Sequence, residues 1–486
     1  MPTRSQRALR AAKPRPLAKA ATGIEGLDEI TGGGLPRGRT TLVCGSAGCG
    51  KTLLAMEFLA RGARDFGEAG VFISFEESRE ELVQNVASIG FDLESLARRR
   101  KLRIDHIRVA RSEIAESGDF DLEGLFIRLG LAIDEIGAKR VVIDTLEALF
   151  GGFSNIGILR AELRRLFDWL KERGVTTILT GERGDGTLTR HGFEEYVSDC
   201  VILLDHRVVG QLTARRMRII KYRGSFHGTD EYPFVIRETG ISVVPITSLT
   251  LNHKASTEVV SSGVPSLDSI LGAGGFYHGS TILLSGSAGT GKSSLAGHVV
   301  AEAARRGERS LYVALEESQS EICRNLRSIG IRIAPLIPRD LVRFHVARPT
   351  AYGLEMHLAL LHQVALAYRP NVIIVDSITS LMAMGEGREV SSMVIRLVDF
   401  LKMNNITLVM TALVTGGQVA QTTRLNISSI VDTWLALSND QHSGARRRAI
   451  SIVKARGMRH SNYVHELAMS NKGIEVKQPI ATEVGQ

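Results

Sequence analysis

The chain of 486 residues carries one sequence pattern twice, in the same order. The stretch TGIEGLDEITGGGLPRGRTTLVCGSAGCGKT at residues 22–52 returns as SGVPSLDSILGAGGFYHGSTILLSGSAGTGKS at residues 262–293. Three further pairs follow in each half: VFISFEES and LYVALEES, VVIDTLEAL and VIIVDSITSL, RIIKYRG and SIVKARG. Such ordered self-similarity marks a duplicated unit, and the length exceeds that of one ordinary core. The sequence therefore predicts two domains of one kind in tandem.

Composition places the boundaries of these domains. Residues 1–21 are basic and lack the apolar run of a secretory signal, so we expect a solvated, disordered arm, with nucleic-acid contact as the weaker alternative. Residues 247–261 are polar and without periodicity, which is typical of a linker. The first domain is then predicted at 22–246 and the second at 262–475, followed by a short tail at 476–486.

Each half alternates β-branched runs with segments of helical period, such as ILRAELRRLFDWLKERG and SSMVIRLVDFLKMNN. This alternation predicts βαβ units and therefore an α/β fold with a mostly parallel sheet flanked by helices.

The motif GxxxxGK[ST] stands at 45–52 and at 286–293, each time between a strand-like and a helix-like run. Its glycines let backbone N–H groups surround phosphate oxygens, and the helix N-terminus adds a favourable dipole. The lysine can neutralise the β- and γ-phosphates, and the hydroxyl residue after it can bind Mg²⁺. The predicted ATP-binding residues are Gly48, Cys49, Gly50, Lys51, Thr52 and Leu53 in the first half and Gly289, Thr290, Gly291, Lys292, Ser293 and Ser294 in the second.

Carboxylates recur at matching places in both halves. A Glu-Glu pair follows an apolar strand-like run, where one carboxylate could act as general base and the other could orient the nucleophile or approach the metal. An isolated pair is usually a solvated helix start, but its repetition favours catalysis. An aspartate that ends the next strand-like run fits a Walker B residue, which holds Mg²⁺ through water. The candidate catalytic residues are Glu76, Glu77, Glu316 and Glu317, and the Walker B candidates are Asp144 and Asp376.

Two cation pairs, Lys221 with Arg223 and Lys454 with Arg456, are spaced to share one face of a strand. They could be solvated, or they could reach a phosphate on a neighbouring subunit as an arginine finger does. The residues themselves leave both interpretations open.

Composition excludes several classes. The four cysteines form no CxxC pair and no zinc spacing, which is typical of a reduced, cytoplasmic protein. No apolar run has the roughly 18–20 residues of a membrane span. The net charge of +8 suits nucleotide phosphates as well as DNA. Aromatic residues make up only 5% of the chain, which leaves few stacking platforms for a single-stranded nucleic acid.

These motifs together resemble the KaiC family, the double-domain RecA-like ATPases that include the cyanobacterial circadian clock kinase. The resemblance covers about residues 22–473. It also rests on Leu27-Asp28 and Leu267-Asp268, on FDLEGL at 120–125, EEYVSDCVILL at 194–204 and KYRGSFHGTDEYPF at 221–234, and on NISSIVDTW at 426–434. The fold that it implies is two tandem RecA-like P-loop NTPase domains.

The resemblance implies a two-tiered homohexamer with ATP and Mg²⁺ between adjacent subunits. The first domain would hydrolyse ATP slowly, and the second would phosphorylate its own subunits on adjacent hydroxyl residues that match Ser428 and Ser429. Glu76 and Glu316 would be the general bases, with Glu316 also near Mg²⁺. Residues implied at the nucleotide, several of them from the neighbouring subunit, are Ser88, Lys221, Tyr222, Arg223 and His227 in the first tier and Ile329, Arg448, Lys454 and Arg456 in the second.

The halves differ at the serine pair. Aligned at Asp199 and Asp432, the first half reads EYVSD where the second reads SSIVD. Serine hydroxyl groups thus replace a carboxylate and a phenol, so only the second half is expected to phosphorylate itself. Serines before a strand are also common turn residues, which is the plainer interpretation.

The resemblance also suggests partners. A KaiB-like protein could bind the region at 181–199, and a histidine kinase or response regulator could read the output. A KaiA-type activator is not expected, because only a short tail follows Gly473. Met384 stands where the clock kinase carries an arginine near its phosphosite. The alternatives are a KaiC-like ATPase scaffold without autokinase activity and a RecA-like DNA motor or recombinase.

Overall fold

The computed structural model describes residues 17–107, 123–150, 156–184, 187–189, 198–209, 212–245, 256–351, 353–385, 387–414, 427–442 and 445–480. The chain divides into two compact units, residues 1–247 and 248–486, called here the first and the second unit. The predicted arm up to residue 16, most of the predicted linker and the tail from residue 481 lie outside the described residues.

The first unit is an α/β structure. Its strands are β1 (Lys19–Ala20), β2 (Leu35–Pro36), β3 (Thr40–Gly45), β4 (Gly70–Ser74), β5 (Leu102–His106), β6 (Arg140–Asp144), β7 (Thr176–Glu182), β8 (Cys200–Val209), β9 (Leu212–Tyr222), β10 (Glu231–Arg237) and β11 (Gly240–Val243). Its helices are α1 (Leu27–Ile30), α2 (Lys51–Asp65), α3 (Arg79–Ala87), α4 (Leu93–Arg98), α5 (Glu123–Ile136), α6 (Leu146–Phe150) and α7 (Ile156–Glu172).

The second unit repeats this plan. Its strands are β12 (Val259–Val260), β13 (Phe276–Tyr277), β14 (Thr281–Gly286), β15 (Ser310–Ala314), β16 (Val342–Val346), β17 (Val372–Asp376), β18 (Thr407–Leu413), β19 (Thr433–His442), β20 (Ala445–Ala455), β21 (His465–Ser470) and β22 (Gly473–Pro479). Its α-helices are α8 (Pro265–Ile270), α9 (Lys292–Arg305), α10 (Gln319–Ser328), α11 (Leu354–Tyr368) and α12 (Gly387–Met403). Short 3₁₀ helices cover Ala334–Leu336, Pro349–Ala351 and Ile378–Ala383.

Each unit has a nine-stranded sheet, and the two sheets have the same strand order. The first runs β11-β10-β9-β8-β3-β7-β6-β4-β5, and the second runs β22-β21-β20-β19-β14-β18-β17-β15-β16. The strands from β8 to β5 pair in parallel, as do those from β19 to β16, while the three remaining strands of each sheet are antiparallel. The predicted mostly parallel α/β fold and its duplication are confirmed.

The central strands are apolar on both faces because helices cover both sides of the sheet. In β3, Val43 packs in one buried cluster with residues of α2, and its neighbours Leu42 and Cys44 pack in another with residues of α5 and α7. Successive side chains of a strand point to opposite faces, which explains this division. The phosphate loop therefore follows a strand that is buried on both sides.

One aspartate organises the start of each unit. The Asp28 carboxylate accepts hydrogen bonds from the backbone N–H of Thr22 and of Gly23, at 2.8 and 3.0 Å. In the second unit, Asp268 accepts from the N–H of Ser262 at 2.9 Å. The preceding leucine of each Leu-Asp pair is fully buried. This repeated motif thus has a structural explanation, since it ties the incoming chain to the first helix.

Two short strands lie in stretches predicted as arm and linker, and a third strand crosses a predicted boundary. β1 lies in the predicted arm and pairs with β2, and β12 lies in the predicted linker and pairs with β13. β22 continues past the predicted boundary at residue 475 to Pro479 and pairs with β21. These short stretches form strands because backbone partners are available, which composition does not show.

Candidate functional site

The two phosphate loops have the same geometry. Each follows the central strand of its sheet, and a helix starts at the motif lysine. The residue before that lysine is a glycine at φ +105° in the first unit and +103° in the second, a left-handed conformation that side chains disfavour. Neither helix start has a side-chain cap in the described structure. The first N–H groups of both helices therefore suit an anion.

The motif lysines lie over their own loops. Lys51 Nζ donates to the carbonyl oxygens of Gly45 and Ser46 at 3.0 and 3.1 Å. Lys292 Nζ donates to the equivalent carbonyls of Gly286 and Ser287 at 2.9 and 2.7 Å. Burial lowers the pKa of Lys292, and the nearby carboxylates of Asp376 and Glu316 partly oppose this effect.

Cys49 is fully buried, and burial raises the pKa of its thiol. Its counterpart Thr290 is equally buried and donates its hydroxyl to the Ser287 carbonyl at 2.9 Å. Both side chains thus pack within their loops, in agreement with a contribution to nucleotide binding through the backbone.

The Walker B candidates end β6 and β17 and are held by hydroxyl groups. Asp144 is buried and hydrogen-bonds to Thr180 and Thr52; burial raises the pKa of its carboxyl, and these hydrogen bonds oppose that effect. Its contact with Thr52 joins two of the predicted metal-site residues.

Asp376 accepts hydrogen bonds from the Tyr312 hydroxyl at 2.7 Å and from Thr411. Burial raises the pKa of Tyr312, and the adjacent carboxylate of Asp376 raises it further. The phenol therefore stays protonated and can donate its hydrogen bond. Sequence reasoning missed both Thr180 and Thr411. Their matching positions in TTILTGE and TLVMTAL, the equivalent strands β7 and β18, were the one indication of their role.

The two members of each Glu-Glu pair have different surroundings. The second member accepts a hydrogen bond from an asparagine of the following helix, Glu77 from Asn85 at 3.3 Å and Glu317 from Asn325 at 3.1 Å. The first glutamate of each pair is exposed, and so is Glu317. The asparagine contacts favour a positioning role for the second glutamate.

The first unit surrounds its glutamate with more negative charge than the second. Burial raises the pKa of Glu76, and Asp144, Glu182 and Glu147 raise it further. Glu147 itself accepts from the Glu182 N–H at 2.5 Å and has a pKa raised by burial.

In the second unit the aligned residues are neutral, Thr379 for Glu147 and Leu413 for Glu182. There, Glu316 accepts a hydrogen bond from the Ser377 hydroxyl at 3.1 Å. The extra carboxylates of the first unit had not been singled out from the sequence.

The cation pair of the first unit flanks a buried tyrosine. Tyr222 is 5% exposed and donates its hydroxyl to the Gly34 carbonyl at 2.8 Å, so its side chain belongs to the core and its backbone alone could meet a nucleotide. Lys221 and Arg223 lie on either side of it in the sequence, and Arg223 is exposed. The ring of His227 stacks on Tyr222 with centroids 6.2 Å apart.

In the second unit the equivalent cations hold the serine pair. Lys454 Nζ donates to the Ser428 carbonyl at 2.7 Å, and Arg456 Nη2 donates to the Ser429 carbonyl at 2.5 Å. Both serines lie in a turn before β19, and both are exposed. The aligned residues 195 and 196 of the first half lie outside the described residues.

Arg448 differs from the other two cations of the second unit. Its Nε donates to the Gly289 carbonyl at 3.1 Å, so it contacts the phosphate loop of its own unit rather than the serine turn. Arg215 takes the aligned place in the first unit, where its positive charge partly opposes the rise in the pKa of Cys49 that burial causes. Arg215 had not been selected from the sequence. Ser88 and Ile329 are the C-caps of α3 and α10, the helices that follow the Glu-Glu pairs.

No helix in the described parts of the chain is long and apolar enough to cross a bilayer. Among the same residues, no group of three or more His, Cys, Asp and Glu side chains could hold a metal ion.

Comparison with known proteins identifies the repeated unit. The family described as "ATPase: KaiC" matches residues 20–248 and again residues 260–481. The chain is 52% identical to the circadian clock protein KaiC2 of Synechocystis sp., over 95% of this chain and 81% of the relative. It is 37% identical to the circadian clock oscillator protein KaiC of Parathermosynechococcus lividus, over 95% and 86%, and 38% identical to that of Thermostichus vulcanus, over 94% and 89%.

Proposed function

Because the chain belongs to the KaiC family of ATPases, we propose that it is a slow ATPase and a serine autokinase, assembled as a double-ring homohexamer. One observation carries the autokinase part. The exposed serine pair is held by Lys454 and Arg456, the two cations that family resemblance assigns to a neighbour's nucleotide. A subunit that presents these cations to a nucleotide would present its serines to the same phosphates.

The phosphate loops would bind ATP in both units. The predicted loop residues supply backbone N–H groups, and Lys51 and Lys292 would exchange their carbonyl contacts for phosphate oxygens. Mg²⁺ would be held by Thr52 with Asp144 in the first unit and by Ser293 with Asp376 and Glu316 in the second. It would neutralise charge on the phosphates. These hydroxyl and carboxylate oxygens are the donors that Mg²⁺ prefers.

Two reactions would follow from two nucleophiles. In the first unit Glu76 would take a proton from water, whose oxygen attacks the γ-phosphorus as the bond to ADP breaks. In the second, Glu316 would take the proton of Ser428 or Ser429 of the adjacent subunit, and the serine oxygen would form the new bond to the γ-phosphorus as the bond to ADP breaks. Hydroxyl groups at the turn are what make the second unit its own substrate.

The test is incubation of the full chain with γ-labelled ATP and Mg²⁺, beside the variant Ser428→Ala/Ser429→Ala. We expect label in the wild type and none in the double variant, while ATP hydrolysis persists in both. Ser470→Ala, a change at an exposed position that ends β21, is the matched serine substitution and should leave labelling intact.

An unlabelled wild-type chain that still consumes ATP would overturn the autokinase and leave the ATPase scaffold. Tight binding of single-stranded DNA with strong salt dependence would instead favour the recombinase alternative. As further parts of the proposal, the protein would act in the cytoplasm in a signalling or timing system. Its own subunits would be its first partners, with a KaiB-like protein or a histidine kinase or response regulator as candidates for the output.

A further inference from the structure

The second unit has a cavity of about 430 Å³ where β14 and β19 begin. Ser280, Lys402, Asn405, Asp432 and Arg456 are among its lining residues. Ser280 directly precedes β14, whereas the phosphate loop follows the other end of that strand. The cavity is therefore distinct from the phosphate loop of its own unit.

Positive charge dominates this cavity. Lys402 Nζ lies 2.6 Å from Asp432 Oδ2, and Arg456 Nη1 lies 3.7 Å from Asp432 Oδ1. Lys454 belongs to the same group, because it donates to the Ser428 carbonyl while Arg456 donates to the carbonyl of the next residue, Ser429. Burial lowers the pKa of Lys454, the positive charges of Arg456 and Lys402 lower it further, and the negative charge of Asp432 opposes this effect. Two cations thus pair with one carboxylate and a third lies near them, so the cluster is short of negative charge.

In the first unit, the equivalent aspartate pairs with a different cation. Arg39 precedes β3 as Ser280 precedes β14, and its guanidinium pairs with Asp199, the counterpart of Asp432, at 3.3 Å. In the second unit the arginine is absent and Lys402 pairs with the aspartate instead. Ser280 is only 8% exposed, and its hydroxyl has no hydrogen-bond partner among the described residues. A buried polar group without a partner is costly unless a ligand satisfies it.

We propose that Lys402, Lys454 and Arg456 form a receptor for the phosphate carried by Ser428 or Ser429 of the same chain. Lys454 and Arg456 already contact the carbonyl oxygens of these two serines, so a phosphate on the neighbouring Oγ comes within their reach. A phosphoserine carries about −1.5 to −2 charges, which matches the excess of the cluster. Phosphate is also the ligand that a Lys/Arg cluster binds with charge-assisted hydrogen bonds.

This inference rests on the proposed function and extends it to regulation. Lys454 and Arg456 cannot serve a phosphoserine of their own chain and a neighbour's nucleotide at once. Phosphorylation therefore withdraws both cations from the neighbour's active site. The phosphorylated chain binds its own phosphoserine and thereby slows the next phosphoryl transfer in the neighbour's active site.

The test uses the full chain with phosphoserine installed at position 429 during translation, so that it does not depend on autokinase activity. ³¹P NMR follows the second ionisation of the phosphate in the folded chain and in the same chain unfolded in urea. We expect the pKa in the folded chain to be about one unit lower, a tenfold stronger acid, because nearby cations favour the dianion. Arg456→Gln and Lys402→Gln should each bring the pKa back toward the unfolded value.

Arg447→Gln is the matched control, because it removes the same charge from an exposed position of β20. Equal titration in the folded and unfolded chain would overturn the inference, and so would equal effects of Arg447→Gln and Arg456→Gln. Arg456 is half exposed, so its replacement should leave the fold intact. A wild type that fails to label itself would overturn the proposed function alone.

Discussion

At the scale of single residues, the equivalent aspartates of the two units, Asp144 and Asp376, have different hydrogen-bond partners. Thr180 and Thr411 take matching places, but the Tyr312 hydroxyl contacts Asp376 only in the second unit, because the first unit has Phe72 at that position. The duplicated chain therefore shows that a phenyl ring fits the same site.

Tyr312→Phe should accordingly keep the fold and lower the free energy of unfolding by about 1 kcal/mol, the usual contribution of one hydrogen bond. Urea unfolding of the full chain measures this loss. Tyr463→Phe, at a position 67% exposed, is the control and should change nothing. A loss of several kcal/mol would show that Asp376 depends on the phenol more than its contact with Thr411 suggests.

The raised pKa of Glu76 predicts a pH dependence for the first unit. If Glu76 is the base, hydrolysis falls as the pH drops through its pKa, because the protonated carboxyl cannot accept a proton. Glu147→Gln removes one of the carboxylates that raise this pKa, so the acid limb of kcat should move to lower pH. The profile is measured in a Lys292→Ala background, which isolates the first unit.

Glu80→Gln serves as the control for that shift, since Glu80 is exposed on α3. An acid limb that moves to higher pH in Glu147→Gln, or that does not move at all, would remove Glu76 from the role of base.

The sequence offered as candidates the residues that recur as short motifs, and it missed those that are brought together by long-range contacts. The lysines, the Walker B aspartates and the Glu-Glu pairs each repeat in a recognisable local context. Lys402 lies 30 positions before Asp432 and Tyr312 lies 64 before Asp376, and only the folded unit brings each pair together. The roles of the motif residues stay predictions, because catalysis depends on a nucleotide and a second subunit.

At the scale of elements, the helices after the Glu-Glu pairs begin with matching capping boxes. Ser78 caps α3 with Glu81, and Ser318 caps α10 with Glu321. α10 also supplies Asn325, which contacts Glu317, so its start influences the glutamate pair.

Ser318→Ala should lower the free energy of unfolding by about 1 kcal/mol, because the helix loses the acceptor for its Glu321 N–H. Urea unfolding again measures the change. Gln319→Ala, an exposed substitution in the first turn of the same helix, is the control and should have little effect. Equal losses in both variants would contradict a specific capping role.

Alternation of strands and helices predicted the central elements of both sheets, but not their ends. β1, β12 and the end of β22 fall in stretches predicted as arm, linker and tail, because they are short and lack a clear period. Their pairing depends on neighbours that are distant in sequence, which local propensity does not contain.

At the scale of the whole molecule, the proposed ring makes a simple prediction about mass. With ATP and Mg²⁺ the protein should elute with six times the 52.9 kDa of one chain, as measured by light scattering after size exclusion. Lys51→Ala, which disables one phosphate loop, should bind one nucleotide per chain instead of two. Arg64→Ala, at an exposed position near the end of α2, controls for loss of a cation. A monomer under every nucleotide condition would remove the basis for catalysis between subunits.

The replacement of Arg39 by Ser280 also has a pharmacological consequence. A compound shaped to the cavity beside Ser280 would find open space and two cations in the second unit. In the first unit the same compound would meet the guanidinium of Arg39. One half of the molecule could then be inhibited while its twin continued to turn over ATP, although both share a fold and a phosphate loop. Selectivity within a single polypeptide would come from one side chain.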